Sequence, residues 1–350
     1  MGLDQFFTTF KVKPTRPSPA MTITLAASLI LFTIPIFIRG SYMLHIIILI
    51  LLYSCTAQSW NILSGYIGVS SFGHQAFFGL GAYTSALFAM RLGISPWIGL
   101  LIGGLVSAGF GLVVGYPVLR LRGGAYTAIV TLAFAEIIRI SFMNLVEITR
   151  GELGLWGIPV FPSIVVPGLG KISFEAGART PYYYIVLIIF LLTFFMSYKL
   201  VNSRIGLAFR AIRESEDAAE NLGVNLTKYK LLAFGISAFL AGVCGSFYAH
   251  YILILMPTTV LASGVVIDMI AMTFVGGQGT LFGPILGSFI LISALEYLRF
   301  LMYYRWLIYG GLFVIVMLFA PAGIIPKIVE IAQRGMIKDL MRASSREVED

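Results

Sequence analysis

Long uninterrupted apolar runs dominate the chain. They fall at 21–38, 42–63, 73–90, 96–118, 125–145, 182–201, 229–251, 260–277, 284–301 and 306–320, the last two short. A bilayer core takes roughly 20 apolar residues per helical span, so the pattern predicts an all-α polytopic membrane protein of about ten transmembrane helices. Most connections between runs are turns, but two are longer. Residues 146–181 are rich in Gly and Pro, as in Trp156-Gly157-Ile158-Pro159, and predict an irregular lid with a short hairpin around Gly168. Residues 202–228 are strongly charged. The pattern divides the chain into a polar tail at 1–20, a membrane domain at 21–326, and a tail at 327–350 that reads as an amphipathic helix with a frayed end.

Composition works by exclusion. The 350 residues are 58% hydrophobic and 11% charged, with a mean hydropathy of +0.92. Soluble domains carry about 25% charged residues, which excludes an ordinary soluble enzyme, and disorder needs the opposite balance. The net charge of +8 then reads as a topology signal rather than a nucleic-acid footprint. With both termini inside, the inner segments (1–20, 119–124, 199–230, 321–350) hold 16 Lys and Arg, while the outer ones hold 6. Positive charge concentrates on the cytoplasmic side, so the asymmetry predicts cytoplasmic termini and a cytoplasmic 202–228 loop. The first apolar run follows Lys11, Lys13 and Arg16 but lacks a small-x-small cleavage pattern at its end, as in a retained signal anchor.

Catalytic signatures are missing from the sequence. Gly170-Lys171-Ile172 lacks the upstream glycine spacing and the following Ser or Thr of a Walker A loop. There is no Gly-x-Ser-x-Gly, His-Glu-x-x-His or Rossmann fingerprint. His45, His74 and His250 match no metal motif, and Cys55 and Cys244 give no disulfide framework. The expectation is a chain with no catalytic residue, no metal and no bound cofactor: a transporter or, less well, a channel.

The 203–223 segment predicts a helix over 207–222 stopped by Gly223. Phe209, Ile212, Ala219 and Leu222 fall roughly on one face. Arg210, Arg213, Glu214, Glu216, Asp217 and Glu220 cover the rest, and Ala218 with Ala219 would admit a close neighbour. Periodicity leaves two readings open: a helix that transmits force from a separate motor subunit, or a solvated linker on the membrane surface.

Five stretches, in order along the chain, carry a resemblance. They are 70–83 (SSFGHQAFFGLGAY), 119–126 (LRLRGGAY) running into 131–139 (TLAFAEIIR), 149–159 (TRGELGLWGIP), 204–224 (RIGLAFRAIRESEDAAENLGV) and 275–284 (VGGQGTLFGP). Together they resemble the permeases of branched-chain amino-acid ATP-binding-cassette importers, specifically the longer of the two permease subunits, over about residues 45–325. The resemblance implies a vitamin-B12-type (type II) importer fold in a bacterial or archaeal plasma (inner) membrane. It implies as partners a second permease of similar fold, two ATPases that hold the ATP and Mg, an extracytoplasmic solute-binding protein and the lipid membrane, with no nucleic acid. It implies that Phe209, Arg210, Ile212, Arg213, Glu214, Ser215, Asp217, Ala218, Ala219, Leu222 and Gly223 form the coupling surface to the ATPases. The implied cargo is a branched-chain or other hydrophobic amino acid, with urea and short amides as alternatives in the same family. Charge reversal at Arg213 and Glu214 is expected to spare folding while reducing substrate-stimulated ATP hydrolysis. The rival class is an ion-coupled secondary transporter with Asp268 or Glu136 as its proton site.

Path candidates are the polar and small residues within the runs. Glycines at 64–82 and 275–287 permit close packing or a broken helix, with packing the favoured reading for most. Gly73, His74, Gln75, Phe78, Tyr126, Thr131, Asp268, Thr273 and Gln278 are the candidate path residues. For His74 the favoured reading is a neutral core histidine bonded to a nearby carbonyl. Glu136 with Arg139, and Glu296 with Arg299, stand three apart and predict ion pairs within their helices. So few free charges imply a polar, weakly binding path, with recognition left to the binding protein.

Overall fold

The computed structural model describes residues 31–38, 40–118, 124–166, 170–175, 177–301, 304–328 and 330–331. The 1–20 tail, most of the 21–38 run, Gly168, the 119–123 turn and most of the 327–350 tail therefore lie outside the described residues. The chain divides between Gly40 and Ser41, and on the N-terminal side the described element is a helix over 31–37.

The unit that begins at Ser41 is built from helices α1 (Ser41–Trp60), α2 (His74–Leu92), α3 (Pro96–Val118), α4 (Gly124–Asn144), the single turn α5 (Val146–Thr149), α6 (Arg179–Val201), α7 (Arg204–Glu214), α8 (Glu216–Asn221), α9 (Leu226–Ile252), the single turn α10 (Pro257–Val260), α11 (Ser263–Gly276), α12 (Gly283–Tyr297) and α13 (Tyr304–Phe319). α1 continues without interruption into a wider π-helical turn at Asn61–Tyr66. Among the described residues, seven segments are long and apolar enough to cross a membrane: Ser41–Tyr66, Pro96–Val118, Gly124–Asn144, Arg179–Val201, Leu226–Ile252, Pro257–Gly276 and Gly283–Leu301. About ten were expected; of the three runs not counted, 21–38 lies mostly outside the described residues, and the other two have local reasons. α2 starts with His74 and Gln75 and carries Arg91, so its 19 residues are less apolar, and the body shields it instead of lipid. At 16 residues, α13 is short for a span. The 260–277 run is broken, since α10 ends at Val260 and α11 starts at Ser263, but Pro257–Gly276 still counts as one of the seven.

The centre is α9, packed against α2 and α3, with α2 on α3. Small residues set this approach. A Cβ on Gly245 would collide with the Phe78 carbonyl, and one on Gly81 with the Gly242 carbonyl. The backbones touch, which is how helices gain dispersion energy where lipid offers no hydrophobic drive. Serines stitch the same seam: Ser246 donates to the Gly81 carbonyl at 3.0 Å, and Ser107 to the Phe77 carbonyl at 2.8 Å. α1 lies beside α6, α9, α11 and α12.

The 146–181 connection is tied down. Phe161 is buried among Trp97, Phe174, Tyr182 and Phe247. The Pro159 carbonyl lies 2.7 Å from His250 Nδ1, whose Nε2 meets Ser85 Oγ at 2.8 Å. Strands β2 (Ile164–Val166) and β3 (Gly170–Ile172) pair antiparallel, Val166 opposite Gly170. Strands β1 (Leu155–Trp156) and β4 (Ile254–Leu255) pair likewise, fastening the connection to the end of α9. At 1.5 Å per residue, α6 carries the chain roughly 35 Å from this end to α7 at the other.

Candidate functional site: a two-helix elbow and a buried polar file

The charged 202–228 loop forms an elbow rather than one helix. Ser203 caps α7 by accepting from the backbone N–H of Ile205 and Gly206. Ser215 is extended, with φ −161° and ψ 116°, and its hydroxyl accepts from Ala218 N–H at 3.2 Å to start α8. The expected single helix over 207–222 is thus two. A serine hydroxyl is worth more as a cap than inside a helix, and Glu216 and Asp217 then sit where the α8 dipole favours acids. Gly223, at φ +82°, turns the chain as expected, and Asn225 caps α9 through Lys228 N–H at 2.9 Å.

The apolar face of the elbow belongs to the main core. Phe209, Ile212 and Ala219 are fully buried and pack with Tyr66, Phe77, Val114 and Phe234. Burying Phe209 and Ile212 stabilises the elbow by roughly 1.5–3 kcal/mol each. Leu222, expected on this face, is 82% exposed, because the break at Ser215 rotates α8 out of register with α7. Glu214, Asp217, Ala218 and Glu220 are exposed as well and give the elbow an acidic outer surface.

Two arginines one turn apart grip the helix ends beneath. Arg210 donates to the Val201 carbonyl at 2.8 Å, at the end of α6. Arg213 donates to the Gly65 carbonyl, in the π-helical end of α1, and packs beside Gly279. Glu216 pairs with the buried Lys230 of α9 at 2.6 Å. Arg213 is therefore a brace as well as a surface residue. Charge reversal there would set a carboxylate against a carbonyl, so it would not spare local structure as the sequence suggested.

The π-helical turn is braced from the other side too. Asn61 donates to the Thr280 carbonyl at 2.8 Å and accepts from Gly279 N–H at 2.8 Å. Gln278 donates to the Ser64 carbonyl at 3.0 Å, so this path candidate holds backbone. Thr273 donates back to Met269 at 2.8 Å and lies near the Ala57 carbonyl of α1 at 3.3 Å.

Above this node lies a file of buried polar groups. His74 Nε2 sits 3.1 Å from Ser59 Oγ and 3.2 Å from Ser237 Oγ. Its partners are hydroxyls of α1 and α9, where a carbonyl was expected. Gln75 beside it is fully buried, and neither of its amide atoms has a hydrogen-bond partner among the described residues. Thr131 accepts from Phe72 N–H at 3.0 Å, and Gly73 packs on the Thr131 backbone, which ties the start of α2 to α4. Phe78 is buried against Tyr248. Tyr126 is 65% exposed on α4 and stands apart from the file. Asp268 is half-buried on α11 and engaged with its surroundings.

Arg139 Nε lies 2.7 Å from Glu136 Oε2, and Glu136 Oε1 accepts from Ser263, the first residue of α11 beyond the break. Arg299 lies 3.2 Å from Glu296, and Tyr42 of α1 donates to the same carboxylate. Among the described residues no three His, Cys, Asp or Glu side chains group as a metal site. Sequence reasoning missed Ser59 and Ser237, which hold His74, and also Gln58 of α1, which is 2% exposed and has no partner among the described residues. A polar residue recurring one turn after another inside an apolar run, as Ser54 and Gln58 do, is the signal that marks such a position.

A family profile described as the permease component of branched-chain amino-acid transport systems matches residues 42–320. The high-affinity branched-chain amino-acid permease LivM of Salmonella typhimurium is 35% identical over 306 residues, 82% of this chain and 70% of the relative. LivM of Escherichia coli K12 is 34% identical, over 79% of this chain and 68% of the relative. The nucleoside permease NupC of Lactococcus lactis is 27% identical, over 63% of this chain and 70% of the relative. No solved structure matches.

Proposed function

The chain belongs to the permease components of branched-chain amino-acid transport systems, a multi-pass membrane family, and on that premise we propose that it is the transmembrane subunit of an ATP-driven importer. It passes a branched-chain or other hydrophobic amino acid from an extracytoplasmic binding protein to the cytoplasm by alternating access. It works with a second permease of similar fold and two ATPases, in a plasma (inner) membrane, with its termini and the α7–α8 elbow on the cytoplasmic side. The vitamin-B12-type fold is part of this reading. So is the division into tails at 1–20 and 327–350 around a membrane domain.

The observation that carries the proposal is the elbow itself. It offers an acidic outer surface, while its inner face is bonded to the ends of α1 and α6 and ion-paired to α9. A load applied outside is passed directly to three spans. A surface linker needs no such bracing. The rival ion-coupled reading loses support at Glu136, whose carboxylate is already held by Arg139 and Ser263.

Gentle extraction from the native membrane, followed by mass spectrometry of the co-purifying chains, tests the proposal. Two Walker-A ATPases and a second permease are expected. Recovery of this chain alone, with uptake abolished by an ionophore, overturns it. Nucleosides are the second cargo class, favoured by the similarity to a nucleoside permease. The ligand carried by the binding protein decides between the two.

A further inference from the structure

Gln58 takes no part in the elbow or in the file around His74. Its side chain lies in a crevice formed with Ser54 and Cys55 of α1, Phe190, Thr193 and Phe194 of α6, and Ile285 of α12. The crevice is too tight for a water molecule. A glutamine amide offers two donors and one acceptor oxygen, and in this state none of them is used among the described residues. One turn beyond Thr193, on the same face of α6, the Ser197 hydroxyl is also fully buried and without a partner among the described residues. Ser54 differs, because it donates back to the Ile50 carbonyl at 2.6 Å and is satisfied within its own helix. A bilayer interior has no water to rescue an orphaned amide, so the closed seam carries a standing penalty.

The two walls of this seam are the two helices that α7 holds. Arg210 grips the end of α6, four residues past Ser197, and Arg213 grips the end of α1, one to two turns past Gln58. Any tilt of α7 moves these two ends relative to each other. Gly206 makes the joint tight, since a Cβ there would collide with the Val201 carbonyl.

We propose that the α1–α6 seam is a gate, opened by α7, and that Gln58 and Ser197 are its lining and bind a small hydrogen-bonding solute as it passes. The fitting solute class is the zwitterionic or amide head of a small amino acid, which offers both donors and acceptors to the amide. The unsatisfied groups bias the seam toward opening. Solute or water entering the open gate supplies the missing hydrogen bonds, and closure strips them away, so release is favoured over retention. This inference rests on the permease reading and adds to it a site and a moving part.

The test uses the complete importer in proteoliposomes. Gln58→Leu keeps the volume close and removes the orphaned amide. It is expected to raise the thermal midpoint of the complex while lowering ATP-driven uptake about tenfold, the size of one lost hydrogen bond. A merely structural glutamine would give the first effect without the second. The wild-type complex supplies a second readout that needs no substitution. Cys55 lines the same crevice, so a hydrophilic thiol reagent should modify it during turnover and not in the resting state, with peptide mass separating it from Cys244. Uptake unchanged in Gln58→Leu, or Cys55 untouched during turnover, overturns the gate. Failure of the wild-type complex to import any solute with ATP would instead overturn the permease reading, so the two failures are distinct.

Discussion

Two helix seams in this molecule are built on opposite rules. Between α9 and its neighbours α2 and α3, glycines bring backbones together and serine hydroxyls reach carbonyls across the gap. Ser107 and Ser246 are both satisfied there. Between α1 and α6, bulky Phe190 and Phe194 line the gap and the amide of Gln58 is idle among the described residues, as is the Ser197 hydroxyl one turn beyond Thr193. The first seam gains from being closed, through dispersion and hydrogen bonds that lipid cannot replace. The second gains less, because closing it strands polar groups. The contrast separates a frame from a moving part, and the elbow is bonded to both sides of the moving part.

The largest expected effect comes from breaking the frame. Gly245→Val drives a branched side chain into the Phe78 backbone, where no rotamer escapes. Overpacking of this kind costs about 1–3 kcal/mol or more. The variant should fail to yield an assembled complex, as seen by size-exclusion chromatography, and normal assembly would refute the backbone-contact reading.

Next in size is the brace. Arg213→Ala removes the grip on Gly65 and leaves the frame alone. Assembly and basal ATP hydrolysis should persist, while uptake per ATP falls about tenfold, the loss of one charge-assisted hydrogen bond. Uptake per ATP at the wild-type value would show that α1 does not feel α7.

The smallest effect belongs to neither seam. Glu296→Gln weakens the pair with Arg299, which is 63% exposed. Exposed pairs contribute at most about 1 kcal/mol. Thermal midpoint and uptake should both stay near wild type, and a large loss would mean that a partner chain covers this face.

Part of this architecture is legible in the chain itself. Apolar run length marked the spans, and Gly223 marked the end of the elbow, because glycine relieves a left-handed turn. The (i, i+3) spacing placed Glu136 beside Arg139. What escaped was whatever depends on a rival local preference or a distant neighbour. Ser215 preferred capping to helix, which broke one predicted helix into two and turned Leu222 outward. Gln278 was expected along the path and Arg213 on the coupling surface, yet each holds a backbone carbonyl over a hundred residues away in sequence.

The division follows from range. Hydrophobicity, helix period and turn chemistry act within a few residues, so the sequence alone determined a many-span helical membrane protein with a charged amphipathic segment before α9. Hydrogen-bond satisfaction is settled between elements. Only the tertiary structure decided that His74 finds two hydroxyls, that Gln58 finds no partner among the described residues, and that one short helix holds the ends of both helices flanking that unsatisfied amide.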